Sequence, residues 1–232
     1  MTKNEFLRIS MNRSETVWGV RYFLFQTVFL SSLLSALNLV LPFSLNATQL
    51  NFLFFCINFG AALVIFRKFL VQFLQIDISR VLRILWVSAV FWVVYWVSTA
   101  LLGQVFSVID PDFVNQNDQN IATMTESHYW LMFIGTVILA PFAEECFHRG
   151  LIFRGLYPRS PIAAFTVSAA VFSAVHILHY IGSVPAHALL LSFLQYIPAG
   201  LCLAGAYRLS GSLISPILIH MAVNAMGMLA LR

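Results

Sequence analysis

The chain has 232 residues, 60% of them hydrophobic and 9% charged, and its mean hydropathy is +0.85. Soluble domains average about 25% charged residues, so this composition excludes a water-soluble globule and requires a membrane protein. The net charge of +4 is no sign of nucleic-acid binding, because the basic residues are spread over connecting segments and form no patch.

Residues 1–17 are polar and are expected to form a cytoplasmic N-terminal segment. The first apolar run, Trp18 to Phe43, is too long for a signal-peptide core and lacks a small-x-small cleavage site, so it reads as a retained helix. Seven spans are predicted, over 18–42, 48–70, 81–106, 128–154, 161–182, 187–207 and 211–231. Each is close to the roughly 20 residues that cross a bilayer core at about 1.5 Å of rise per residue. The mixed stretch Val71 to Arg80 predicts a short interfacial helix. Residues 107–127, which contain D-P-D-F-V-N-Q-N-D-Q-N, predict a mobile, exposed outer loop. The expected fold is all-α, a polytopic transmembrane bundle. It divides into the N-terminal segment 1–17, three spans with an outer loop over 18–127, and a four-span core over 128–232. Cys56, Cys146 and Cys202 lie in apolar runs without CxxC spacing, and are expected to be free, small buried hydrophobes.

Short loops rich in Lys and Arg stay in the cytoplasm. With a cytoplasmic N-terminus, that side receives Lys3, Arg8, Arg13, Arg21, Arg67, Lys68, Arg80, Arg83, Arg154, Arg159 and Arg208, and the other side receives Arg232 alone. Asp110, Asp112, Asp118 and Glu126 collect on that other side. An inside N-terminus is therefore expected.

Few ionisable groups remain at depth: Glu144, Glu145, His148 and Arg149 in the fourth span, His176 and His179 in the fifth, His220 in the seventh. Each charged group at mid-bilayer costs about 2.5–3.5 kcal/mol on insertion scales, so such groups face a bundle interior or a wet cavity. Counting residues from the cytoplasmic side puts Glu144, His176 and His220 at about 15, 22 and 14 Å, so one shared site is possible. Around a helix, adjacent residues differ by about 100°, which points the two glutamates in different directions. Glu145 and Arg149, at i,i+4, read as a neutralising ion pair, and Glu144 as the less compensated carboxylate. His148 shares the Glu144 face, and Asn224 shares that of His220. His128 and His187 sit at span ends, where polar side chains are ordinary, and Phe172 reads as packing.

A desolvated carboxylate can take a proton from water, imidazoles can orient that water or protonate a leaving amine, and an amide can donate to an oxyanion. Amide hydrolysis is the chemistry these groups suit. E-E-C-F-H-R (Glu144, Glu145, Arg149), F-S-A-V-H (Phe172, His176) and H-M-A-V-N (His220, Asn224) together resemble the EExxxR, FxxxH and HxxxN motifs of the CAAX-protease and bacteriocin-processing family of intramembrane proteases. The resemblance covers roughly residues 128–231. It implies a glutamate-dependent endopeptidase of the cell membrane in which Glu144 activates water, His176 and His220 position it, and Asn224 helps hold the oxyanion. Glu145, Arg149 and Phe172 would support the site. The substrate would be a membrane-associated peptide or protein, cut near the cytoplasmic half of the bilayer. Two His and a Glu would also suit zinc with an open water position, but the favoured reading has no metal and no other cofactor. The compact length favours a bacterial enzyme for peptide maturation, leader removal or bacteriocin immunity over prenyl-protein processing.

Two other readings stay open. A non-catalytic immunity protein or scaffold would keep these groups as an interhelical network. A proton-coupled transporter would use Glu and His as a relay, although no inverted repeat or paired broken helices accompany them.

Overall fold

The computed structural model describes Phe6, residues 10–72 and residues 78–232, and among them the regular structure is entirely helical. The long helices are α1 (Arg13–Val40), α2 (Ala47–Ile65), α4 (Ile78–Ile109), α6 (Tyr129–Leu156), α7 (Pro161–Tyr180, its last turn 3-10) and α8 (Ala186–Ser210). All six are long and apolar enough to cross a membrane, and α9 (Ile214–Ala230) is a shorter apolar helix. Two more elements are short: α3 (Arg67–Val71) and α5 (Gln116–Ser127). The chain is a multi-pass helical bundle.

Local chemistry sets the helix ends. Asn12 and Glu15 form a reciprocal capping box at 2.9 and 3.0 Å, so α1 starts inside the expected polar tail. The second oxygen of Glu15 also accepts the Phe69 N–H at 2.8 Å, tying α3 to α1. Asn46 and Gln49 cap α2 in the same way. Pro161 follows the Ser160 cap of α7, and Gly211, at φ +70°, stops α8 in a conformation that glycine adopts without strain.

One expectation needs correction. Residues 107–127 are not one long loop: α4 runs on to Ile109, residues 110–115 connect it to α5, and α5 is a helix with its cap Asn115 and its Thr125 buried against the bundle. Its Asn-rich start favours turns in isolation, but those amides find partners on α8 and at the end of α7. The expected interfacial helix over 71–80 lies partly on residues 73–77, outside the described residues. On either side, α3 ends at Val71 and α4 begins at Ile78.

Burial separates the helices by rank. Half of the α6 window and 44% of that of α8 is buried, against 11% for α1 and α4. Apolar side chains such as Leu24, Phe29, Trp86 and Val93 stand exposed on α1 and α4, a face suited to lipid tails. The two central helices carry or contact most of the polar groups described next.

Candidate active site

Helix α6 departs from α geometry twice. A π segment occupies Ile134–Leu139 and another Cys146–Phe153, separated by a short α segment that holds Glu144 and Glu145. Such bulges often mark functional sites, because one added residue per turn re-aims the side chains that follow. The first bulge has a traceable cause. Within it the Ala140 N–H bonds the Gly135 carbonyl, five residues back, so the next carbonyl, Thr136, would need the N–H of residue 141. That residue is Pro141, which has none. The freed carbonyl accepts the Asn224 Nδ2 amide of α9 at 2.9 Å.

Two layers of side chains meet between α6, α7 and α9. In the inner layer, Glu145 and Arg149 are wholly buried and pair at 3.1 Å between Oε2 and Nε. The contact is bent away from a straight hydrogen bond. Arg149 Nη2 donates to the Gly200 carbonyl at 3.1 Å, and the guanidinium lies 4.6 Å from the Phe172 ring centre. The other Glu145 oxygen faces His220 Nδ1 at 3.0 Å. Glu145 therefore joins the ion pair to a site histidine, a contact that helical phase alone does not foretell.

In the outer layer, Glu144 Oε2 lies 3.9 Å from His176 Nε2 and 3.9 Å from His220 Nε2, while its side chain is 28% exposed. These separations are too long for hydrogen bonds. His176 Nδ1 contacts the Phe172 carbonyl at 2.7 Å. A carbonyl only accepts, so Nδ1 carries the proton, and in the neutral ring Nε2 turns a lone pair toward the carboxylate. His220 is set alike, because its Nδ1 meets a carboxylate that is already paired with Arg149. Two imidazoles and one carboxylate thus converge, with both Nε2 atoms turned toward the same Glu144 oxygen.

The remaining candidates divide. Phe172 contacts the rings of His148, His176 and His220 at 5.2, 4.6 and 5.8 Å, which makes it a hub of the site. His148 is buried and bonds the Glu144 backbone carbonyl, not its carboxylate, at 2.8 Å. Asn224 is held at Thr136 by one amide N–H, one turn along α9 from His220. His179 is exposed in the 3-10 turn, and Cys146 is buried. His187 lies at the start of α8, 3.5 Å from Asp110.

Sequence reasoning missed a further group. The Tyr196 ring stacks on His176 at 4.3 Å between centres, and its hydroxyl meets Asn117 and Asp118 of α5. Aromatic residues are common in this chain, and nothing local marks Tyr196 out.

Zinc fits this donor set poorly. Ligands at about 2.0–2.1 Å in a tetrahedron lie about 3.3 Å apart, shorter than the 3.9 Å found here. Among the described residues no group of three His, Cys, Asp or Glu is arranged to hold a metal ion.

Comparison with known proteins bears on the same region. The family model described as type II CAAX prenyl endopeptidase Rce1-like matches residues 126–226, which carry every one of the motif residues above. No curated protein and no solved structure matches the chain. Over residues 126–226, a little under half of its length, the chain is thus similar to a family of CAAX prenyl endopeptidases.

Proposed function

We propose that the protein is a glutamate-dependent intramembrane endopeptidase of a bacterial cell membrane, acting on a membrane-associated peptide or protein. The observation that carries this reading is the convergence of one buried oxygen of the partly exposed Glu144 side chain with two Nε2 atoms, each ring held through its Nδ1. A water entering among them donates its protons to these acceptors and keeps an oxygen lone pair for attack on the scissile carbonyl carbon. Glu144 takes the proton as the C–O bond forms and delivers it to the amide nitrogen as the C–N bond breaks. Asn224 keeps a second amide N–H for the oxyanion. Glu145 holds His220, and Arg149 holds Glu145. No metal takes part in this reading, and the distribution of basic residues supports a cytoplasmic N-terminus.

The test is cleavage of a pool of membrane-bound peptides, among them leader peptides and prenylated C-termini, by purified protein in lipid nanodiscs. Glu144→Gln should lose at least about 100-fold in rate, within the usual range for a general base. Equal rates for wild type and Glu144→Gln would sink the glutamate mechanism. A strong zinc chelator should leave the wild-type rate unchanged, and loss on chelation with rescue by zinc would reverse the metal reading. Protection of cells from a bacteriocin by every variant, with no cleavage by any, would favour the immunity reading.

A further inference from the structure

Tyr196 belongs to none of the three motifs, yet it makes the closest ring contact of His176, with centres 4.3 Å apart and planes inclined by 28°. His176 needs such a contact. Its one hydrogen bond within the described groups runs from Nδ1 to a carbonyl of its own helix. The terminal torsion of a histidine is broad and roughly two-fold, and a half-turn of the ring would point a carbon where Nε2 now faces Glu144. Stacking on a fixed aromatic plane restricts that swing.

The aromatic plane is fixed from outside the helices that bear the motifs. The Tyr196 hydroxyl accepts from Asn117 Nδ2 at 3.0 Å and donates to Asp118 Oδ1 at 3.3 Å. The neighbouring Gln195 accepts from Asn115 Nδ2 at 3.0 Å and donates to Asp118 Oδ2 at 3.3 Å. Four residues beyond His176, the Tyr180 hydroxyl accepts from Asn120 at 3.0 Å and donates to Asn117 at 3.4 Å. Helix α5 therefore bonds to the helix end that carries His176 and to the helix that carries its stacking partner. Packing alone does not require this, since amide and carboxylate groups are used where apolar contacts would hold the segment.

We infer that Tyr196 is a positioning residue for His176, and that α5 acts through Asn117 and Asp118 to hold the Tyr196 ring against the imidazole. The inference rests on the proposed protease reading for its kinetic consequence only. With Tyr196→Leu, kcat should fall at least about tenfold while KM stays within about threefold, as for a misplaced catalytic group. Tyr196→Phe keeps the ring and should recover at least about a third of kcat, whereas the double variant Asn117→Ala with Asp118→Ala should lose about threefold or more. A readout free of turnover accompanies these rates. The 15N shifts of the His176 ring, assigned by comparison with His176→Gln, should report a single Nδ1-protonated tautomer in wild type and a mixture in Tyr196→Leu. Wild-type kcat in Tyr196→Leu, or an unchanged tautomer beside a fallen kcat, overturns the inference. Should Tyr196→Leu not fold, the α5 double variant is measured by the same two readouts, and an unchanged kcat or tautomer there overturns the inference equally. If Glu144→Gln cleaves like wild type, the glutamate reading fails, while the tautomer measurement still decides the role of Tyr196.

Discussion

At the scale of single residues, the two adjacent carboxylates differ in what surrounds them. Glu145 is fully buried, shared between Arg149 and His220, and Glu144 keeps more than a quarter of its side chain exposed. Removing one partner of a buried ion pair leaves an uncompensated charge, at a cost of about 3–5 kcal/mol. Arg149→Met should therefore lower the unfolding free energy in detergent by about that amount. Joining it with Glu145→Gln should recover a large part of the loss, and additive losses would show that the pair is not coupled. The division of the glutamates into a paired and a free one was legible in the sequence, since i,i+4 spacing and helical phase suffice for it. The second partner of Glu145 was not legible. It depends on how α9 is rotated and set against α6, which no local pattern encodes.

At the scale of elements, the site depends on irregularities in its helices. Six of the seven expected spans match helices long and apolar enough to cross a membrane and the seventh is a shorter apolar helix, but the bulges of α6 were not foreseen, because nothing in a run such as I-G-T-V-I-L-A-P states which carbonyl will go unpartnered. Only Pro141 hints at it. Helix α5 was misread for a related reason: Asn and Asp favour turns locally, and here their amides bond to Tyr196, Gln195 and Tyr180, far away in sequence. Close approach of α7 and α8 rests on Gly200, where an added Cβ would meet the Ala169 Cα at 2.7 Å, an atom that cannot step aside. Gly200→Ala should destabilise the fold by about 1–3 kcal/mol through overpacking, and move the carbonyl that Arg149 uses. Gly60→Ala and Gly227→Ala are the controls, since nothing lies within 4 Å of a Cβ at either position. Each should be neutral or stabilising by up to about 1 kcal/mol, through better helix propensity. Unfolding titrations of the three variants in mixed micelles measure the contrast, and an equal effect at all three would remove the steric explanation.

At the scale of the whole molecule, a polar site is enclosed by helices whose outer faces suit lipid. The buried shares of α6 and α8 against those of α1 and α4 show which helices shield which. Orientation in the membrane is expected from charge: with seven spans, eleven Lys and Arg would share the side of the N-terminus and Arg232 alone would lie on the other. Placing the turn between α6 and α7 in the cytoplasm puts Arg154 and Arg159 there, and leaves the acidic stretch around Asp112 outside. Cysteine labelling reads this directly. Cys146 and Cys202 are buried, and Cys56 lies within α2, so the background should be low. In intact bacterial cells a membrane-impermeant maleimide should label Asp112→Cys at once and Pro158→Cys only after permeabilisation; both positions are exposed, and neither substitution removes a basic residue. The reverse pattern would put the N-terminus outside. It would also move the cut, expected near the cytoplasmic half of the bilayer, to the other half, because peptides would then approach Glu144 from the opposite compartment.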